Sequence, residues 1–286
     1  MNITQFYRVE TITDAHVGTG ESGFGFIDQL IQRDSATGYP CFNSTGMKGA
    51  IKQFIDTYAD SENKYEMMKR IFGSDSSANK KGGSETQQGE SVFFTAHLLA
   101  LPVRTNKNSF MLTTSPELIN FFEHLHTLLG DPLKESIYEE IKSIVSDDNP
   151  DVGKCFKNTY VGAEMDIVGT RLNLINNDEL LNKLKSLFGF DSDRIAVVSN
   201  RTMAELTSDL YLPVISRNAL DDGESQNLWY EQILPRFTRL YFANIWKEEK
   251  QQDFVENLLT NKDNKKPLQV GGNASVSYGF TSITKM

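Results

Sequence analysis

The chain has 286 residues, of which 39% are hydrophobic and 23% charged, and a formal net charge of −9. This length suggests one large domain or two intimate ones, and the apolar content is enough to bury a real core. Two cysteines, Cys41 and Cys155, make no disulfide framework and too few ligands for a thiolate zinc site. The acidic balance speaks against a free-standing nucleic-acid binder, which usually carries a basic stripe. It speaks less against a subunit that binds RNA inside an assembly, because binding needs only a local basic face. Several acids are segregated into residues 146–151 and 220–225, while residues 47–81 are richer in lysine. No apolar run reaches the roughly 18 residues that span a bilayer. The opening MNITQFYRVET lacks the basic and apolar regions of a signal peptide. The expectation is a cytoplasmic protein with no membrane partner.

Residues 2–15 alternate, with Ile3, Phe6, Val9 and Ile12, and predict a first strand. Four glycines follow within residues 18–25, then a short apolar segment, 24–32, carrying one acid, Asp28. Gly38-Tyr39-Pro40 is a turn. Ser44 or Thr45 can cap a helix in which Ile51, Phe54, Ile55 and Tyr58 recur at helical spacing. A second helix is expected over about 62–72. Residues 73–90 are polar and low in complexity, and read as a flexible loop. Strands are expected over 91–103 and 110–112. A helix opens at Ser115-Pro116, with proline in its first turn, and a second helical piece covers about 132–145. Then come a strand over 160–174, a helix over 178–187 capped by Asn177 or Asp178, and a strand over 194–199. A polar stretch over 200–228 carries Arg201 and Arg217. Residues 228–245 read as strand, proline break and strand. A helix over 250–259 and a terminal hairpin around Gly271-Gly272-Asn273 complete the chain. The order is α+β rather than a regular βαβ alternation, and a ferredoxin-like core with long insertions accommodates it.

Gly18-Thr19-Gly20-Glu21-Ser22-Gly23 fits G-x-G-x-x-G. A dinucleotide site needs a helix opening at the third glycine, and Phe-Gly-Phe-Ile-Asp is no helix start. A simple turn, or a loop that admits another polymer to its backbone, stays open. Asn43-Ser44-Thr45-Gly46-Met47-Lys48-Gly49 places hydroxyls and amides at a helix start, with Lys48 one turn in and Lys52 on the same face. Gly49 stands where a Walker loop requires Ser or Thr. Asp28, among Phe26, Ile27, Leu30 and Ile31, could hold a divalent cation or orient a ribose 2′-hydroxyl for attack on the adjacent phosphate. His16 could assist it. His124 and His126, at i and i+2 of a helix, point to different faces and make no metal pair. Trp229, Tyr230 and Tyr241 read as core rather than as stacking platforms.

Taken together these residues resemble the backbone (fourth) subunits of type III-B CRISPR effector complexes, the Cmr type, within the RAMP superfamily. The matches run in order from residue 16 to about 280. They are His16-x-Gly18-x-Gly20, Ile27-Asp28 through Gln32-Arg33, Thr37-Gly38-Tyr39-Pro40, and Ser44 to Lys48-Gly49. Residues 101–104 with Ser115-Pro116, Leu228-Trp229-Tyr230-Glu231 with Leu234-Pro235, and Gly271-Gly272-Asn273 with Gly279 continue the series.

The resemblance implies a single RAMP-type domain over 1–286. Its palm would be ferredoxin-like (RRM-like), with a flexible insertion at 73–90, a helical insertion at 115–150 and a β-hairpin thumb within 200–228. Copies would stack along one CRISPR RNA. Gly18, Gly20, Ser44, Thr45, Lys48, Lys52, Arg201, Arg217, Gly271 and Gly272 would contact RNA. Asp28 matches the family's acid for cutting the paired single-stranded target RNA, with a divalent cation, Mg2+ or Mn2+, and His16 and Glu231 stand beside it as further catalytic candidates. Other expected partners are the large polymerase-like subunit, the small helical subunit and the guide-end capping RAMP subunits. Three other readings remain at this point: the same filament without cleavage, a guide-processing RAMP ribonuclease acting by general acid–base chemistry, and a nucleotide-binding enzyme using residues 18–23. The helix entry, Asn-Ser-Thr-Gly-Met-Lys, departs from the family's usual Gly-Ser-Ser-Leu-Lys-Gly. Ser277-Tyr278-Gly279 stands where the family has a glycine-rich basic run.

Overall fold

The computed structural model describes residues 2–22, 25–74, 87–156, 165–167, 169–221, 224–260 and 266–286. Most of the loop expected over 73–90, the start of the strand expected over 160–174, and residues 23–24 and 222–223 lie outside the described residues.

Strands β1 (Ile3–Thr11), β2 (Gly18–Ser22), β3 (Gln29–Ile31) and β4 (Cys41–Phe42) lead into helices α1 (Ser44–Tyr58) and α2 (Lys64–Phe72). Then come β5 (Val92–Phe93), β6 (Ala96–Val103), β7 (Met111–Thr114), α3 (Pro116–Leu128), α4 (Ile137–Lys142) and β8 (Val152–Phe156). They are followed by β9 (Met165–Ile167), β10 (Thr170–Ile175), α5 (Asp178–Phe188), β11 (Ile195–Val197) and α6 (Asn200–Leu206). The chain closes with β12 (Val214–Asp221), β13 (Glu224–Gln232), β14 (Arg239–Trp246), α7 (Glu249–Leu259), β15 (Leu268–Gln269), a 3-10 turn over Ala274–Val276 and β16 (Phe280–Lys285).

Among the described residues these strands form two sheets. The larger runs β15-β16-β1-β14-β6-β7-β11-β8-β10-β9, with β4 on β6 and β5 on β14. Within it β16, β1, β14 and β6 each run antiparallel to their neighbour, while β11 runs parallel to β7 and β10 parallel to β8. The smaller sheet runs β12-β13-β3-β2, and in it β12 and β13 are the arms of one hairpin.

The large sheet is buried on both faces, and β14 shows how. Leu240, Phe242 and Trp246 enter one core, while Tyr241 and Ala243 enter the other, as the two-residue period of a strand requires. The first core packs α1, α2 and α7 on the sheet through Met47, Ile51, Phe54, Ile71 and Val255. The second packs α3, α4 and α5 through Phe122, Ile141, Leu184 and Phe188. Each such side chain contributes about 1.5–3 kcal/mol relative to leaving it exposed. A bulge breaks the alternation where β14 meets β6, between Arg239 and Leu240. Leu99 and Ala100, neighbours on β6, therefore face the same core.

Helix α3 starts with proline in its first turn, as its sequence predicts. Asn177 caps α5, its side chain accepting the amide of Leu180 at 3.0 Å. Four expectations change. The cap of α1 is Asn43, not Ser44 or Thr45, and its side chain does not bond the helix. Asn43 Oδ1 takes the Cys41 thiol at 3.5 Å, and the Ser44 amide goes to the Thr95 hydroxyl at 3.3 Å. The helical piece expected over 132–145 shortens to α4, since 131–136 carry Pro132 and a Ser136 that caps α4. The polar stretch over 200–228 contains α6 and most of the β12–β13 hairpin. Strand β8 was not expected at all: it lies between β11 and β10, and its pairing partners are distant in sequence.

Candidate RNA-binding and cleavage site

The small sheet gathers the early sequence motifs. Asp28 is exposed and stands just before β3. Its amide donates to the Tyr230 carbonyl at 3.1 Å, and its Oδ2 accepts the Tyr230 amide at 2.8 Å. A residue of the hairpin arm β13 thus fixes the carboxylate through backbone alone. Phe26, 80% exposed, lays its ring on that of Tyr230, with centroids 5.0 Å apart and planes 26° apart.

Behind this surface His16 and Gln232 are buried. His16 is 5% exposed, and its Nδ1 lies 2.7 Å from the Gln232 carbonyl. A carbonyl only accepts, so Nδ1 carries a proton. Nε2 faces Gly18, where a Cβ would come within 2.9 Å of it. Gln232 also accepts the Ile31 amide with its side chain at 3.4 Å and donates to Asp209 at 3.1 Å. Asp209 in turn pairs with Arg33 at 2.7 Å. The Gln32 side chain joins two of the predicted motifs: its Nε2 donates to the Gly18 carbonyl at 3.1 Å, and its Oε1 accepts the Asn43 amide at 2.9 Å. The glycine strand and the entry to α1 are therefore tied together.

The C-terminal glycines close the same cluster. Gly271 has a φ of +89°, and a Cβ there would meet the His16 carbonyl at 2.5 Å. The Gly272 amide donates to that carbonyl at 3.4 Å. Between α1 and this loop lies a groove of about 340 Å³, lined by Gly46, Gly49, Gln53, Tyr58, Gln269 and Gly271. The first turn of α1 holds no acid, so the helix start favours a negative ligand. Lys48 and Lys52 are half-buried. Lys52 lines a second groove, of about 480 Å³, between α1 and α2.

Two of the predicted residues, Glu231 and Arg217, are engaged with each other inside the protein, while Arg201 keeps an exposed position. Glu231 is 2% exposed. Its carboxylate accepts the Trp229 indole at 2.7 Å, Arg217 at 3.2 Å and Asn273 at 3.4 Å. Arg217 is thereby engaged, and its guanidinium also stacks on Trp229 and Tyr278 at 5.7 and 5.5 Å. Arg201 is exposed at the start of α6, its amide bonded to Asp147 and its side chain 3.8 Å from Glu205. Trp229 and Tyr230 are half-buried, so of the three aromatic residues read as core only Tyr241 is fully buried.

Sequence reasoning missed Tyr230, Gln32, Gln232 and Asp209. Gln32 stands in the Ile-Gln-Arg motif and so carried a signal. Tyr230 acts through its backbone, which no residue type announces.

A divalent cation can be tested against these donors. Among the described residues no group of three or more His, Cys, Asp or Glu is arranged to hold a metal ion. One exposed carboxylate suits Mg2+ in its usual mode, in which one or two carboxylates are supplemented by water and substrate phosphate. No helix of the described residues is long and apolar enough to cross a membrane.

Comparisons with known proteins find similarity over nearly the whole chain. The CRISPR system Cmr endoribonuclease Cmr4 of Pyrococcus furiosus is 24% identical, over 96% of this chain and 92% of that protein. Among solved structures, a subunit of the type III-B Cmr-beta complex bound to cognate target RNA superposes with a TM-score of 0.73 at 19% identity, covering 99% of this chain and 97% of that one. Oligomeric Cmr4 from Pyrococcus furiosus superposes with a TM-score of 0.70 at 22% identity, covering 99% and 98%. These likenesses establish a shared mixed α/β fold built on a large sheet. The profile of the RAMP superfamily matches residues 8–282, and the chain belongs to that superfamily.

Proposed function

We propose that this chain is a backbone subunit of a type III-B Cmr effector complex, holding the guide RNA and cutting the target RNA paired to it at Asp28. The observation that carries this reading is the exposed Asp28 carboxylate, fixed by the hairpin on a sheet that also contains the glycine strand. End-to-end similarity to an endoribonuclease subunit supports the same conclusion. The strand order β16-β1-β14-β6, with α1 between β1 and β6 and α7 between β14 and β16, is consistent with a ferredoxin-like palm. The β12–β13 hairpin is the thumb in this reading, and it extends four residues beyond the 228 expected from sequence.

The guide backbone lies along the glycine strand, the start of α1 and Gly271–Gly272, where amides and Lys48 meet phosphate without a side chain in the way. The target strand passes over Asp28. Asp28 Oδ1 accepts the proton of a ribose 2′-hydroxyl as that hydroxyl's oxygen attacks the adjacent phosphorus. The bond from phosphorus to the 5′-oxygen breaks, that oxygen takes a proton from water to leave as a 5′-hydroxyl, and a 2′,3′-cyclic phosphate remains. Mg2+ or Mn2+ held by Asp28 would supply positive charge beside the phosphate. His16 and Glu231 act as supports: one orders the glycine strand, the other the hairpin. Further copies of the chain are partners in this reading, as the oligomeric state of the Pyrococcus relative suggests. The other Cmr subunits and a cytoplasmic setting follow from the same assignment.

A second reading, an architectural subunit without cleavage, is favoured by one fact: the Asp28 carboxylate already has a structural partner in the Tyr230 amide. Imaging the purified protein with long single-stranded RNA tests the backbone role. Regular helical assemblies that form only with RNA are expected. Monomers at all RNA concentrations would remove it.

A further inference from the structure

We propose that Phe26 is the platform on which one nucleobase of the target strand stacks, next to the bond that is cut. This rests on the reading of Asp28 as the cleaving carboxylate and adds a substrate contact to it. A single exposed apolar side chain is ordinary. Phe26 differs in how it is mounted. Its ring is 80% exposed, yet it lies on the ring of Tyr230 at 5.0 Å and 26°, so one face is backed and oriented. The amide of the same Tyr230 holds Asp28 Oδ2 at 2.8 Å. One residue therefore sets both the aromatic face and the carboxylate. Leu228, 54% exposed, lies two residues before Tyr230 and on the same face of β13, extending the apolar surface. Phe26 and Asp28 are two residues apart, so their Cα atoms are at most ~7 Å apart, within reach of the base and phosphate of neighbouring nucleotides.

The chemistry gives such a platform a purpose. The 2′-oxygen, phosphorus and departing 5′-oxygen must come into line, and a base held in a continuous stack keeps the backbone out of that arrangement. Releasing one base costs unstacking energy, and an aromatic ring offers that base a new partner. Stacking accepts any base, because every base has a π-face. The subsite is thus for an unstacked nucleobase of any identity, which suits an enzyme whose sequence choice is made by pairing to a guide.

The test is single-turnover cutting of guide-matched RNA by the assembled complex, with Phe26→Ala, Phe26→Leu, Phe26→Trp and Asp28→Asn. Each is measured on normal target and on targets with an abasic nucleotide at each position flanking the cut. Phe26→Ala and Phe26→Leu should slow cutting ~10-fold, the scale of one base–aromatic stack, with target affinity within about 2-fold of the parent. Phe26→Trp should retain the rate. One abasic position should slow the parent complex by a similar factor and slow Phe26→Ala no further. Parent-like cutting by Phe26→Ala and Phe26→Leu, or abasic and Phe26→Ala effects that multiply at every position, would overturn the proposal. If Asp28→Asn still cuts, the reading of the site fails and takes this one with it. If Asp28→Asn is inactive while Phe26→Ala cuts normally, only the platform is lost.

Discussion

Glu231 Oε1 accepts the indole N–H of Trp229 at 2.7 Å, two residues away on the same face of β13. With Arg217 from β12 and Asn273 from the C-terminal loop on its other oxygen, this buried carboxylate joins hairpin and tail. Glu231→Ala leaves an indole and a guanidinium unpaired. It should lower stability in urea by about 3 kcal/mol, because breaking a buried pair strands its partner. Glu231→Gln keeps an acceptor and should cost about 1 kcal/mol. Equal, near-zero losses in both would show that the carboxylate does not join the two parts.

The two C-terminal glycines should behave differently. Gly271 has positive φ and no room for a Cβ, which would meet the His16 carbonyl at 2.5 Å, whereas Gly272 has nothing within 4 Å. Gly271→Ala should cost about 2–3 kcal/mol and Gly272→Ala less than about 0.5 kcal/mol. Thermal melting of the two variants side by side checks this.

Much of this was legible in the sequence. Helical spacing found α1, the Ser115-Pro116 start found α3 and the Asn177 cap marked α5, and the ordered motifs from His16 to Gly279 singled out the segments that meet at the small sheet. What could not be read was partnership. The cap of α1 moved to Asn43 because Thr95, 51 residues downstream, supplies a hydroxyl to the Ser44 amide. Strand β8 has partners on β10 and β11 that no local pattern encodes. Arg217 is expected from the resemblance to contact RNA, and Glu231, 14 residues on, engages it.

Asp34 gives the fold a dependence on acid. Burial pushes its pKa up, but hydrogen bonds from the Thr37 and Ala36 amides and the Thr37 hydroxyl outweigh that and hold it below the usual carboxylate range. A lowered folded-state pKa stabilises above the unfolded value of about 3.9, and the benefit is lost as pH falls through the folded one. The stability gap between the parent and Asp34→Asn should be constant above about pH 5 and shrink below about pH 4. A gap independent of pH across that range would contradict the assignment.

Lys48 stands one turn into a helix whose first turn has no acid. Lys48→Ala should weaken guide RNA binding and reduce the slope of log K against log salt by about 0.7, the value for one phosphate contact on a single strand. An unchanged slope would move the guide off the start of α1.

The most direct test of the central claim is cutting of guide-matched RNA by the complex carrying Asp28→Asn. The substituted side chain keeps an oxygen for the Tyr230 amide, so fold and RNA binding should persist. The account predicts that the parent complex cuts at regular intervals and leaves cyclic phosphate ends, and that the variant binds the same target but cuts about 10²–10⁴-fold more slowly. Cutting by Asp28→Asn at the parent rate and at the same positions would contradict it.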